Sequence, residues 1–254
     1  MASPATSPGE RLRLDDLLVQ RGLFISRSRA RDAVLRGTVT VAGVAVTKPG
    51  RLVAGDAEIR VDDPARNYVS RAALKLVHGL DHFGFDPAGR VALDLGASTG
   101  GFTQVLLERS VDRVLALDVG HNQMRGEIAD DPRVTNIEGL NARDLTAAHL
   151  GDETPDCVVC DVSFISLRLA LPPALAITGE GAWGVFLIKP QFEAGRDRIG
   201  KGGIVDRSEG ERIARDLASW LDGQSGWRST GVVASPIEGG DGNREYLLGG
   251  IKNR

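Results

Sequence analysis

At 254 residues, with 42% hydrophobic and 26% charged residues, the chain has the composition of a soluble globular protein with room for one large domain or two. No apolar run approaches the ~20 residues that cross a bilayer. The Pro/Ser-rich stretch 1–10 lacks the apolar core of a secretory signal, so it reads as a disordered tail on a cytoplasmic protein. The net charge of −3 argues against wholesale nucleic-acid binding, but it is unevenly spread. Residues 1–62 carry ten Lys/Arg against seven Asp/Glu, and the rest carries 21 against 27. A small basic module on an acidic body suggests a targeting domain joined to a catalytic one.

In chain order, Leu12–Leu18 and Ser26–Arg36 read as short helices, with Gly22 and Gly37 just past their ends. Residues 39–43, 44–46 and 57–61 read as short strands punctuated by Gly and Pro. Arg27, Arg29, Arg31 and Arg36 crowd the second helix without forming one stripe at 100° per residue. The polar segment 62–69, containing Pro64, breaks the pattern and reads as an interdomain linker. A helix follows, with Ser70 able to cap it and Ala73, Leu76, Val77, Leu80 and Phe83 on one face. Arg71, Lys75 and His78 fall opposite that stripe, on a face that is either solvated or turned to a substrate cleft.

Val91–Leu95 is an apolar run of strand length, followed at once by Gly96-Ala-Ser-Thr-Gly-Gly101 and a helical pattern from Phe102. Strand, glycine loop and helix start together make a cradle for a nucleotide-like ligand: bare backbone approaches closely, and unpaired N–H groups face outward. Asp94, Gly96, Ala97, Ser98, Gly100 and Gly101 are its candidate binding residues. Arg113–Asp118 reads as a second strand, and Asp118 at its end is placed to accept the ribose hydroxyls of an adenosine. A third strand, Arg133–Glu138, leads to Asn141, positioned to read an adenine edge. Strands at Asp156–Asp161 and Trp183–Ile188, a helix at Ser208–Leu221, and strands near 231–234 and 245–248 follow. This alternation predicts an α/β fold with a largely parallel sheet covered on both faces.

Cys157 and Cys160 form a C-x-x-C with no second pair of metal ligands. On a strand they point to opposite faces, which opposes a disulfide and makes them core thiols. Gly195-Arg-Asp-Arg-Ile-Gly-Lys-Gly202 nearly spells a P-loop, but Gly202 stands where Ser or Thr would hold Mg²⁺. It reads instead as a mobile, basic, RNA-facing loop.

The cradle suits two enzyme classes. In dinucleotide enzymes the second glycine of G-x-G-x-x-G admits a pyrophosphate. Here Ala97 and Ser98 fill those positions, so the spacing favours S-adenosylmethionine, which carries no phosphate. In an open α/β sheet chemistry collects at the carboxyl ends of the strands. Asp161 and Lys189 terminate two strands there, Glu245 starts the last strand at the same edge if that strand runs antiparallel, and Lys75 joins them from the preceding helix.

Lys75, Asp161, Lys189 and Glu245 match the K-D-K-E tetrad of FtsJ-like ribose 2′-O-methyltransferases. Residues 13–22, 26–31 and 37–43 resemble the S4 RNA-binding domain. Nearly the whole chain resembles the TlyA (haemolysin A) rRNA methyltransferase family through stretches 69–76, 96–102, 161–167, 189–193 and 242–246. The resemblance implies a Rossmann-like class I methyltransferase domain with a seven-stranded, mostly parallel sheet, preceded by a small α+β S4-like domain. The expected division is a tail at 1–10, the S4-like domain at 11–61, a linker at 62–69 and the methyltransferase at 70–254.

It implies S-adenosylmethionine-dependent methylation of cytidine ribose 2′-hydroxyls in 16S and/or 23S rRNA within ribosomal subunits. Lys75, Asp161, Lys189 and Glu245 would be catalytic, Asp161 also touching the cofactor, with no metal required. Arg11, Arg13, Arg27, Arg29, Arg31 and Arg71 are expected to meet RNA. Residues 66–69 sit where the family has a functional linker tetrapeptide, with Tyr68 in place of a common Trp. Lys189 is expected nearest the 2′-oxygen, as a neutral base or as a charge that steadies the alkoxide. The rival readings are a membrane-active haemolysin, which would need a spanning or large amphipathic helix, and an RNA-binding protein with an inactive methyltransferase body.

Overall fold

The computed structural model describes residues 11–151, 153–195 and 198–253. The expected tail at 1–10 and residues Arg196 and Asp197 of the glycine-rich loop lie outside the described residues. The chain divides into two compact units, the break falling between Asn67 and Tyr68.

In the first unit, helices α1 (Leu14–Gln20) and α2 (Arg27–Leu35) accompany strands β1 (Arg11–Arg13), β2 (Val39–Val41), β3 (Val44–Ala45), β4 (Leu52–Ala54) and β5 (Ile59–Val61). Leu14, Leu17, Leu18, Ala30, Val34, Val39 and Val53 form its core. Ser26 caps α2 by accepting from Arg29 N. The strands form two small antiparallel sheets, β3-β2-β5 and β1-β4. The sequence reading lacked β1 and β4, each three residues long and too short to show an alternation. The segment expected as a free linker is partly anchored: Asp63 accepts a two-pronged bond from Arg36 at 2.8 and 2.9 Å, and Arg29 donates to Ala65 O at 2.8 Å.

The second unit is a seven-stranded sheet of order β11-β12-β10-β9-β6-β7-β8. Its parallel strands are β6 (Val91–Leu95), β7 (Arg113–Asp118), β8 (Val134–Glu138), β9 (Cys157–Cys160) and β10 (Trp183–Ile188). Strands β11 (Trp227–Ala234) and β12 (Tyr246–Lys252) complete it, with β12 antiparallel to β10. Strands β9 and β10 are buried throughout, as strands covered on both faces must be.

The pleat sorts side chains between two cores. Ala92, Val114, Cys157, Val159 and Leu187 pack with α3 (Ala73–Phe83) and α4 (Gly101–Glu108). Leu93, Leu117, Val158, Cys160 and Ile188 pack with α6 (Leu167–Ile177) and α8 (Arg207–Asp222). The short helices α5 (Gly126–Ala129) and α7 (Pro190–Glu193) follow β7 and β10. Cys157 and Cys160 are free and belong to opposite cores. Burial pushes both thiols far up, so neither is a ready nucleophile. Among the described residues no helix is long and apolar enough to cross a membrane.

Candidate active site

The site is built where β6, β9 and β10 end. Asp161 N donates to Leu95 O at 2.9 Å, tying the residue after β9 to the end of β6. Gly96 holds φ +81°, and a Cβ there would stand 2.7 Å from Asp161 O, so this close crossing requires glycine. Gly100 precedes α4 in the left-handed region, and a Cβ on Gly101 would meet Ser70 Cβ at 2.9 Å. The glycines thus bring a loop and a helix N-terminus against the strand ends.

Three cavities lie along these strand ends. One, of about 480 Å³, lies between Gly96, Ser98, Asp118, Asn141, Asp161 and Ile165. A smaller one of about 180 Å³ continues past Gly96, Ala97, Gly101 and Ser70 to Asp161 and Lys189. The other large cavity, again about 480 Å³, is lined by Ser163, Phe164, Lys189, Gln191, Phe192 and Glu245. Ser163 borders all three, and Lys189 joins the last two.

Asp118 stands at the first cavity with both oxygens engaged, Oδ2 accepting from Ser98 N at 2.8 Å and Oδ1 from Gly120 N at 2.7 Å. Each carboxylate oxygen keeps a further lone pair for a ribose hydroxyl. Asn141 lines the same cavity while its Oδ1 accepts from Arg143 N at 3.2 Å. Asp94 is placed differently. It is fully buried, Oδ2 accepting from Thr103 Oγ1 at 2.7 Å while Oδ1 has no hydrogen-bond partner. It braces α4 against β6 from behind the loop. Burial pushes its carboxyl up and the Thr103 hydrogen bond opposes, but Asp161 and Asp118 add to the rise, leaving it at about 7.

The four residues of the tetrad form two ion pairs at one place. Lys75 Nζ lies 2.5 Å from Glu245 Oε2, and Lys189 Nζ lies 2.6 Å from Asp161 Oδ1. Lys75 is only 6% exposed and Glu245 2%. The helical wheel set Lys75 opposite the apolar stripe; in the structure that position is buried, because β12 brings Glu245 to meet it. Burial pushes Glu245 up, Lys75 opposes the shift, and Asp161 and Lys189 also act on it, so the two pairs share one electrostatic environment.

Three neighbours escaped the sequence reading. Ser163 Oγ accepts from Lys189 Nζ at 2.8 Å. Phe164 is 90% exposed at φ +65°, its ring 5.0 Å from that of Phe192 across the second cavity's wall. Glu193 accepts from Ser166 Oγ at 2.6 Å and Leu167 N at 2.7 Å, pinning α7 to the start of α6. Their signal was present in the stretches 161–167 and 189–193, but only an assembled loop shows which of those residues line the cavities.

Most of the expected RNA-binding arginines are engaged within the protein. Arg13 and Arg27 both bind the buried Asp15, at 3.0 and 3.1 Å. Burial alone would raise that carboxyl, but the two guanidinium hydrogen bonds hold it below the usual range. Arg11 donates to Leu52 O at 3.3 Å, Arg29 is tied to Ala65, and Arg31 is exposed on α2. Arg71 belongs to the second unit and is half-buried. The near-P-loop stretch leads into a short turn at Lys201–Gly203 rather than joining a strand to a helix.

Comparison with known proteins shows the family to which the fold belongs. Residues 68–252 match the FtsJ-like methyltransferase family and residues 12–59 the S4 domain. The chain is 44% identical over 240 residues to the 16S/23S rRNA (cytidine-2′-O)-methyltransferase TlyA of Mycobacterium tuberculosis, covering 94% of this chain and 89% of that protein. It is 40% identical to Hemolysin A of Brachyspira hyodysenteriae, covering 93% and 98% of the two chains. A solved Streptococcus thermophilus structure described as a hemolysin superposes with a TM-score of 0.74 at 37% identity, over 98% of this chain and 90% of that one. With a glycine cradle at the strand ends and an S4 domain ahead of it, the chain belongs to the FtsJ-like methyltransferases.

Proposed function

We propose that the chain transfers a methyl group from S-adenosylmethionine to cytidine ribose 2′-hydroxyls of rRNA, in 16S and/or 23S within ribosomal subunits. The observation that carries this reading is the junction itself: two lysine–carboxylate pairs stand between the glycine-lined cleft and a second cavity of similar size. The substrate class follows the Mycobacterium relative, which is named for that reaction. Residues 11–61 would hold structured RNA and 70–254 would carry the chemistry, with 62–69 between them.

The first cavity fits the cofactor. Its volume falls in the range of ~300–1,000 Å³ typical of small-molecule sites. The crossing at Gly96 lets the loop close against Asp161 at the cavity wall, and Asp118 faces the cavity with spare acceptor capacity. Gly96, Ala97, Ser98, Gly100, Gly101, Asp118, Asn141 and Asp161 would hold the molecule, with Asp94 supporting the loop. When bound, S-adenosylmethionine supplies an electrophilic methyl on a charged sulfur and leaves as a neutral thioether.

The remaining work falls to the chain. A ribose hydroxyl is a poor nucleophile near neutral pH, so its proton must be taken and its oxygen aligned. Lys189 reaches the junction of the two cavities, where it would accept that proton or steady the developing negative charge. Asp161 fixes Lys189 in place, while Glu245 does the same for Lys75, whose charge borders the site. Exposed on the second cavity, Phe164 and Phe192 offer faces on which an unstacked base can rest.

The test is incubation of the full chain with radiolabelled S-adenosylmethionine and each ribosomal subunit, followed by mapping of the modified nucleotide. Label at cytidine ribose that disappears with Lys189→Ala is the expected result; unlabelled rRNA from every subunit form refutes the proposal. Lys189→Arg keeps the charge but not the base, so near-normal turnover in that variant refutes the general-base version.

A further inference from the structure

The geometry assigns Ser163 as a positioning residue for methyl transfer, acting through Lys189; the inference rests on the methyl-transfer reading above. Lys189 Nζ forms an ion pair with Asp161 Oδ1 at 2.6 Å, but its one directed hydrogen bond goes to Ser163 Oγ at 2.8 Å, while Asp161 Oδ1 has no hydrogen-bond partner. A lysine nitrogen has four tetrahedral directions, one of them taken by Cε. With Asp161 alone, the group still swings about its Cε–Nζ bond and its carboxylate contact, and the direction it offers to the acceptor oxygen is spread out. The directed hydrogen bond to Ser163 fixes that rotation. One direction then remains, and Ser163 and Lys189 both line the cavity that the acceptor nucleotide would enter.

The same fixation serves either protonation state. A neutral amine donates one N–H to Ser163 and keeps the other on the Asp161 side, so its lone pair takes the remaining direction and meets the 2′-hydroxyl hydrogen. In the balanced step the 2′-oxygen–methyl bond forms, the methyl–sulfur bond breaks with its electrons staying on sulfur, and the hydroxyl proton passes to Lys189 and then to water. An ammonium instead points its third N–H at the developing oxyanion.

Ser163 is itself exposed, so water replaces its oxygen when the hydroxyl is removed, but a mobile water does not fix a direction. The cost is therefore one of alignment and falls on turnover rather than on binding.

The experiment compares wild-type chain, Ser163→Ala and Ser163→Thr in two assays. In the first, without cofactor or RNA, an amine-acylating succinimidyl ester labels the native protein and mass spectrometry follows Lys189, with the exposed Lys48 of the first unit as internal reference. Losing one hydrogen bond is expected to speed Lys189 labelling about threefold in Ser163→Ala, and Ser163→Thr to return it to near the wild-type rate.

In the second assay, kcat for rRNA methylation is expected to fall about tenfold in Ser163→Ala, with KM for the subunit and Kd for S-adenosylmethionine within about twofold of wild type. The threonine variant is expected to recover most of the turnover. Unchanged Lys189 labelling, unchanged kcat, or a loss confined to KM or Kd each overturns the assignment. Wild-type protein that transfers no methyl to RNA defeats the proposed function instead, and the labelling arm still decides whether Ser163 holds Lys189.

Discussion

Replacing Asp94 with Asn should change the stability of the second unit by an amount that depends on pH. Asp94 lies at 0% exposure with one oxygen on Thr103 and the other without a partner, and its carboxyl stands at about 7 against an ordinary 3.8. A folded state with a raised acid keeps a proton that the unfolded chain has already released. Between 3.8 and 7 the native protein therefore binds more protons, and stability falls as pH rises. At ~1.4 kcal/mol per unit, the penalty is about 2 kcal/mol at pH 5.5 and about 4 kcal/mol at pH 8, where it has levelled off.

Asn cannot ionise, so it escapes this penalty. It pays instead a pH-independent cost of about 1–3 kcal/mol if its NH₂ group is left without an acceptor. The informative quantity is thus the change with pH: relative to wild type, Asp94→Asn should gain about 2 kcal/mol between pH 5.5 and pH 8. Trp183, Trp220 and Trp227, the protein's three tryptophans, all lie in the second unit, so urea unfolding followed by tryptophan fluorescence reports that unit. An identical difference between the two proteins at both pH values would refute the reasoning, since it would mean that Asp94 is ionised alike in the folded and unfolded chains.

Lys75→Met leaves the Glu245 carboxylate buried without its cation and should cost about 3–5 kcal/mol in urea unfolding, whereas Lys75→Met with Glu245→Leu should recover most of it. Gly96→Ala places a Cβ 2.7 Å from Asp161 O at a φ that disfavours side chains, so Kd for S-adenosylmethionine in calorimetry should rise at least about tenfold. Phe164 borders both large cavities, so Phe164→Ala should raise KM for the RNA substrate by an amount matching ~1–3 kcal/mol of base stacking and weaken the cofactor by less than that. A cofactor Kd that rises more than the RNA KM in that last variant would make Phe164 a wall of the cofactor cavity rather than a stacking platform.

The parallel sheet was legible because β6, β7, β9 and β10 are near-continuous apolar runs, and the loop at Gly96 stood out because so few residues tolerate that crossing. The opposed cysteines followed from the pleat alone. Burial of Lys75 was not legible. A helical wheel ranks faces by hydropathy, and a lysine that finds a carboxylate partner goes inside against that ranking. Ser163 and Phe164 were hidden for another reason: loop residues follow no period, and which of them faces a cavity depends on how β9 and β10 are spaced. Asp94 showed its type but not its place, since a carboxylate in a glycine-rich motif reads as a ligand-binder until Thr103 is seen holding it from behind.

How residues so far apart in sequence meet is answered by register. Ile188 on β10 pairs with Tyr246 on the antiparallel β12, so the next residue outward on one strand is Lys189 and on the other Glu245. Phe186 pairs with Cys160 on the parallel β9, which sends Asp161 out beside them, and Leu95 pairs with Cys160 from the other side, which brings Gly96 to the same edge. Backbone hydrogen bonds thus place three of the four tetrad residues before any side chain interacts, and α3 supplies the fourth through the Lys75–Glu245 pair. A one-residue slip of β12 would turn Glu245 to the opposite face of the sheet. Leu247 and Leu248, buried in opposite cores, oppose that slip. The apolar strand that holds the core together is therefore also what aims the carboxylate.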